Sequence, residues 1–177
     1  MSTQSILKHS LVFFDESVMN ASLDGETALD LTNVTTYNTF DTWGLTPSSK
    51  PKIVLPPYRE NFIDVAGYNG SIDATEVLGS VIYSLREDTI EFYIQDYPVI
   101  SSAKVTFEGL KRAIANVLHG KRMAMYLESD PGVVYLGRWA IDDMHTEEAW
   151  SVVTLKYKID PYGYLITAGT KASRMTF

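Results

Sequence analysis

The alternation of apolar and polar positions divides this chain into one strongly amphipathic helix and a series of short strands. Phe107, Leu110, Ile114, Val117 and Leu118 fall three, seven, ten and eleven positions on from the first, a spacing that lays one apolar stripe along a helix. Thr106 suits the cap, Glu108 suits the positive end, and Gly120 after His119 suits the left-handed residue that closes many helices. A hairpin is predicted next, RMAMYLE against VVYLGRWAI, with Asp130-Pro131-Gly132 as a type II turn. On the second arm Val133, Tyr135, Trp139 and Ile141 are assigned to the core face. Arg138 lies opposite, within reach of a pair with Asp130 or Glu128 across the hairpin.

Period-two alternation marks further strands. Ile90, Phe92 and Ile94 share one side of TIEFYIQ, and Val153, Leu155, Tyr157 and Ile159 one side of SVVTLKYKID, with Lys156 and Lys158 opposite. ENFIDVAG and SIDATEVLG flank a glycine turn, Gly67 to Gly70. Lys52 to Leu55 is predicted as a strand ended by Pro56-Pro57. Toward the N-terminus, Ser10 to Asp15 and Ala28 to Thr35 are expected as two strands separated by the polar SVMNASLDGET. The last dozen residues read as a short strand or a loose tail. The fold class that follows is mainly β, an antiparallel sandwich carrying one α-helix and a protruding hairpin. Residues 1–36 form an extension, either packed on the main domain or reaching a neighbouring subunit, and 37–177 the main domain.

Composition narrows the function. The chain has 177 residues, 45 % of them hydrophobic, and no cysteine, which excludes disulfides and thiolate metal sites. Its net charge of −7 argues against a protein that coats nucleic acid, and suits a surface that nucleic acid must pass without sticking. No apolar run reaches the roughly 20 residues of a membrane helix, and the N-terminus lacks a signal-peptide pattern, so a soluble chain is expected.

Catalytic motifs fail on inspection. His119-Gly120-Lys121 is not a phosphate loop, because Ala115 and Arg122 stand where glycine and Ser/Thr are needed. The histidines, His9, His119 and His145, are scattered, and no metal site is expected. Asp142, Asp143, Glu147 and Glu148 are read as a solvated acidic loop rather than as paired catalytic carboxylates. No enzyme activity and no cofactor are expected.

Several blocks resemble siphophage distal tail proteins: Trp43-Gly44-Leu45, Asp64 to Asp73, IEFYI, VLHGK ending at Lys121, and ESDPGVVYLGR ending at Arg138. The resemblance covers Tyr37 to Ile159. It implies a belt domain related in fold to tail tube proteins, assembling as a ring, typically of six, at the end of a tail tube. The implied partners are further copies of the chain, the tail tube protein, the tail-tip hub protein and the tape measure protein. DNA passes the lumen unbound, and no membrane is involved. The implied location is the virion tail tip, after assembly in the bacterial cytoplasm. Alternatives are a tail tube or tail-completion protein of the same fold, or a carbohydrate-binding β-sandwich. Larger family members carry a sugar-binding C-terminal domain, and this chain is too short for one. Candidate contacts between subunits or with partners are Phe13 and Phe14 in the N-terminal extension, Asp130, Pro131 and Gly132 at the hairpin, and Arg138.

Overall fold

A computed structural model describes residues 9–24, 28–67, 69–77, 79–94, 99–100, 103–147, 150–166 and 172–175. The elements in chain order are β1 (Leu11–Asp15), α1 (Glu16–Leu23), β2 (Tyr37–Asn38), α2 (Thr39–Trp43), β3 (Thr46–Pro47), β4 (Phe62–Asp64) and β5 (Ser71–Asp73). There follow β6 (Arg86–Ile94), β7 (Val99–Ile100), β8 (Ala103–Lys104), α3 (Phe107–Leu118), β9 (Lys121–Leu127) and β10 (Asp130–Thr146). The chain closes with β11 (Ser151–Ile159), β12 (Tyr164–Leu165) and β13 (Ser173–Arg174). The main sheet runs β2-β1-β9-β10-β11-β6-β3, with β12 beside the start of β10 and β13 beside β12. All of its ladders are antiparallel, as hairpin-linked strands require. Two small hairpins, β4-β5 and β7-β8, stand apart from it. The architecture is mainly β, consistent with the sandwich class expected, and no helix among the described residues is long and apolar enough to cross a membrane.

The long helix forms where its stripe predicts. Thr106 Oγ1 accepts from the Gly109 amide at 3.1 Å, Leu110, Ile114 and Leu118 are buried, and Gly120 has φ +74°. The stripe meets the inner faces of β1, β6, β9, β10 and β11 in one core, centred on Trp139, whose ring lies 4.9 Å from Phe13 and 5.2 Å from Tyr157. A second, smaller core on the other side of the sheet gathers Phe14, Ala124, Val134 and Leu136 under Met19 of α1. Strands β6 and β11 pair over nine residues in unbroken register, with Ile90, Phe92, Ile94, Val153, Leu155, Tyr157 and Ile159 all buried.

Five local expectations are corrected. The stretch separating the two N-terminal strands is helix α1: Asp15 caps it by accepting from the Ser17 amide at 2.8 Å, and buried Met19 holds it down. A second short helix, α2, precedes the Gly44 turn, because Asn38 accepts from two amides at its start and Gly44 takes φ 69° at its end. Ala28 to Thr35 is not a strand. Asp30 accepts from the Thr32 amide and forms a turn, which competes with an extended ladder. Lys52 to Leu55 is irregular as well: the Val54 amide donates to Tyr157 Oη and its carbonyl accepts from Arg86, so side chains replace a strand partner.

The hairpin turn also lies three residues early. Leu127 pairs with Asp130 around Glu128-Ser129, and Pro131, Gly132 and Val133 form a bulge before Val134 pairs with Tyr126. Gly132 lacks a positive φ and donates no turn. Proline has no amide for a ladder, so it falls where pairing is already interrupted.

Candidate assembly surface

Two of the sequence blocks, VLHGK and VVYLGR, meet at one joint, between the end of α3 and the middle of β10. The Gly120 amide donates to the Trp139 carbonyl at 2.8 Å, and Arg138 Nη1 donates back to the Gly120 carbonyl at 2.9 Å. The Ile141 amide donates to His119 Nδ1 at 3.3 Å, and Lys121 Nζ donates to the Asn116 carbonyl. His-Gly-Lys and Gly-Arg are therefore two halves of one clasp, which fixes α3 on the sheet. The Gly120 amide already has an acceptor, so it offers nothing to a phosphate. Gly137 serves the same joint through space: a Cβ there would lie 2.5 Å from Ile159 Cγ2 and from the Lys158 carbonyl oxygen.

The six candidate contact residues fall in three places. Phe13 and Phe14 are fully buried, one in each core, so a partner reaches neither without opening the chain. Asp130 and Pro131 are exposed at the hairpin end, whereas Gly132 is half-buried and its carbonyl accepts from the Ile166 amide. Arg138 is exposed but sits eight residues along β10 from Asp130, roughly 27 Å in an extended strand. It bonds to Gly120, and the ion pair expected across the hairpin is not formed.

A larger surface lies in the excursion between β3 and β6. From residue 57 to 85 the described residues contain one buried side chain, Ala74. The stretch is nonetheless built. Its stem is laddered from Ser84 to Pro57, from Arg59 to Ile82 and from Ala74 to Asn61, and β4 pairs with β5 above it. Arg86, only 4 % exposed, anchors the stem by donating to the Val54 and Pro161 carbonyls. It also lies over the Tyr135 ring. Burial lowers its pKa, opposed by the neighbouring Tyr135 and Tyr157.

Of the twelve large apolar side chains exposed among the described residues, nine lie between Leu55 and Leu85. Leu55 is 77 % and Val77 71 % exposed. Apolar residues scattered singly over a surface need no explanation, but a concentration of this kind marks an interaction site. Tyr58, Phe62, Val77 and Tyr83 line a groove of about 600 Å³ together with the carboxylates Glu60, Asp73 and Glu76. Sequence reasoning found the hairpin but not its exposure. The only available signals were the clustered glycines, with positive φ at Gly67, Gly70 and Gly79, and the Pro56-Pro57 boundary.

The acidic end of β10 is a local pair rather than a binding centre. His145 Nδ1 lies 2.7 Å from Asp143 and its Nε2 3.7 Å from Glu147, and the Asp143 hydrogen bond raises the histidine's pKa. Among the described residues no group of three or more His, Asp and Glu is placed to hold a metal ion.

No protein-family model matches this sequence, and no curated protein is similar to it. A solved structure is. The crystal structure of the SPP1 Dit (gp 19.1) protein, described as a paradigm of the hub adsorption apparatus in Gram-positive infecting phages, superposes with a TM-score of 0.48 at 17 % identity. The match covers 73 % of this chain and 49 % of that one, so this chain matches about half of that protein's length.

Proposed function

We propose that this chain is a structural, non-catalytic subunit of a phage tail, a distal-tail-type protein that closes into a ring of six copies. The ring sits at the end of the tail tube, joins it to the tail-tip hub, and leaves a channel for the tape measure protein and DNA. One observation carries the reading. Two blocks of the resemblance, VLHGK and VVYLGR, are joined around Trp139 and Gly120, and the same chain exposes a concentrated apolar surface on its 57–85 excursion, which holds a third, Asp64 to Asp73. A rigid body with an uncovered apolar face is what an assembling subunit presents. The net charge of −7 suits a lumen that phosphate must traverse.

The test is location. Gold-labelled antibody against this chain, applied to intact particles of the phage that encodes it, should label the distal end of the tube. Label along the whole tube would assign a tube protein, and its absence from particles would reject the reading.

A further inference from the structure

We propose that Asn69-Gly70, past the end of the β4–β5 ladder, is a site of spontaneous modification at which Asn69 loses ammonia and becomes aspartate or isoaspartate. The reaction needs an asparagine side chain, an unhindered amide nitrogen on the next residue, and a backbone free to bring the two together. Of the six asparagines in the chain, Asn69 alone precedes a glycine. Gly70 has φ +108°, a conformation that residues with a side chain rarely adopt. The turn therefore demands the one residue type that leaves its nitrogen open to Asn69. A Cβ built on Gly70 would meet nothing within 4 Å.

The backbone is free as well. Asp64 and Ser71 form the last rung of the ladder, closed by the Ser71 hydroxyl donating to Asp64 Oδ1 at 2.5 Å. Asn69 and Gly70 lie just outside it, both exposed, and among the described residues the Gly70 amide has no acceptor. Exposed loop tips of this kind open at almost no cost. The other asparagines are held or hindered. Asn20 and Asn116 lie inside α1 and α3, and Asn38 Oδ1 accepts from the Phe40 and Asp41 amides. Asn33 precedes Val34 and Asn61 precedes Phe62, whose side chains crowd the attacking nitrogen.

The steps balance without an oxidant or reductant. Solvent base takes the Gly70 amide proton, and the nitrogen attacks Asn69 Cγ. A five-membered succinimide forms as the Cγ–Nδ2 bond breaks, and ammonia leaves with a proton from water. Water then opens the ring. Breaking the new N–Cγ bond gives aspartate, whereas breaking the original peptide bond leaves the main chain routed through Cγ, as isoaspartate. Either product adds one carboxylate to a chain at −7. Because the ammonia is lost, the change does not reverse, and the tip of the excursion records the age of the molecule. The proposal needs only the exposed turn and stands apart from the assembly reading.

The experiment incubates the full-length chain in mildly alkaline and mildly acidic buffer, folded and in guanidinium chloride. Trypsin then releases residues 60–86 as one fragment, since no lysine or arginine lies between Arg59 and Arg86, and Asn61 within it is an internal control. Fragment mass, which rises by the exchange of NH for O, and methyl transfer by an isoaspartyl methyltransferase are the readouts. Asn69 should convert and Asn61 should not, faster in alkaline buffer because base generates the amide anion. The folded rate should lie within about tenfold of the unfolded rate, as an unprotected turn requires. Asn69→Gln should abolish the mark with the circular dichroism spectrum unchanged, because glutamine would have to close a six-membered ring. Protection of about a hundredfold or more in the folded chain, comparable conversion at another asparagine, or a mark that survives Asn69→Gln would overturn the proposal.

Discussion

Gly137→Ala is the substitution that asks most of the central joint. Gly137 lies on β10 opposite Ile159, in the middle of the sheet, and its backbone angle is one that any residue adopts. The glycine is there for space. An added methyl carbon would stand 2.5 Å from Ile159 Cγ2 and 2.5 Å from the Lys158 carbonyl oxygen, where an ordinary contact is about 3.5 Å. The overlap of about 1 Å involves backbone, so rotating a side chain does not remove it; β10 and β11 must separate. Overpacking of this kind costs about 1–3 kcal/mol, and backbone displacement places this case at the upper end, about 3 kcal/mol. For a domain of this size that lowers Tm by about 6–12 °C. Urea unfolding followed by tryptophan fluorescence measures it, since Trp139 sits in the adjoining core. Gly120→Ala is the comparison: its φ is +74° but nothing lies within 4 Å of the new carbon, so only backbone strain of about 1 kcal/mol is expected. A Gly137→Ala loss below about 0.5 kcal/mol, or one smaller than that of Gly120→Ala, would refute the close-approach reasoning.

Three further outcomes follow from the geometry. Arg86→Met leaves the Val54 and Pro161 carbonyls without their donor; it should cost about 2 kcal/mol, and limited proteolysis should cut first within residues 55–85. Asp15→Ala should cost about 1 kcal/mol in urea unfolding through loss of the α1 cap. Hydrogen bonds to Ser17 hold the Asp15 pKa below its usual value, so the wild-type contribution is full above about pH 4 and fades as pH falls through the lowered value. The variant should lack that part of the acid sensitivity. Asp160→Asn removes a carboxylate 2.6 Å from Arg122, which also contacts Glu16 at 2.6 Å. At half-exposed positions this should cost about 1 kcal/mol at low salt and less at high salt, and thermal melts at two ionic strengths would show it.

The legible parts of the fold were those where a long periodic run and its burial coincide. Helix α3 and strands β6 and β11 each bury one continuous stripe, and periodicity reports little else. Helices α1 and α2 were hidden because eight and five residues are too short to show a period; Asp15, Asn38 and Gly44 at their ends were the usable signals. Ile53 and Val54 have strand character, but Tyr157 and Arg86, far along the chain, take the backbone groups of Val54. Proline and glycine at 131 and 132 resembled a turn because the same two residues also suit a bulge. For the surface, the apolar residues of β4 and β5 read like those of any strand. Only the fold reveals that no layer of the described residues covers them.

The most direct test of the account is the mass of the purified full-length chain in solution, with negative-stain images of the same sample. The account predicts closed rings of about six subunits with an open centre. A monomer at every concentration tested would contradict it.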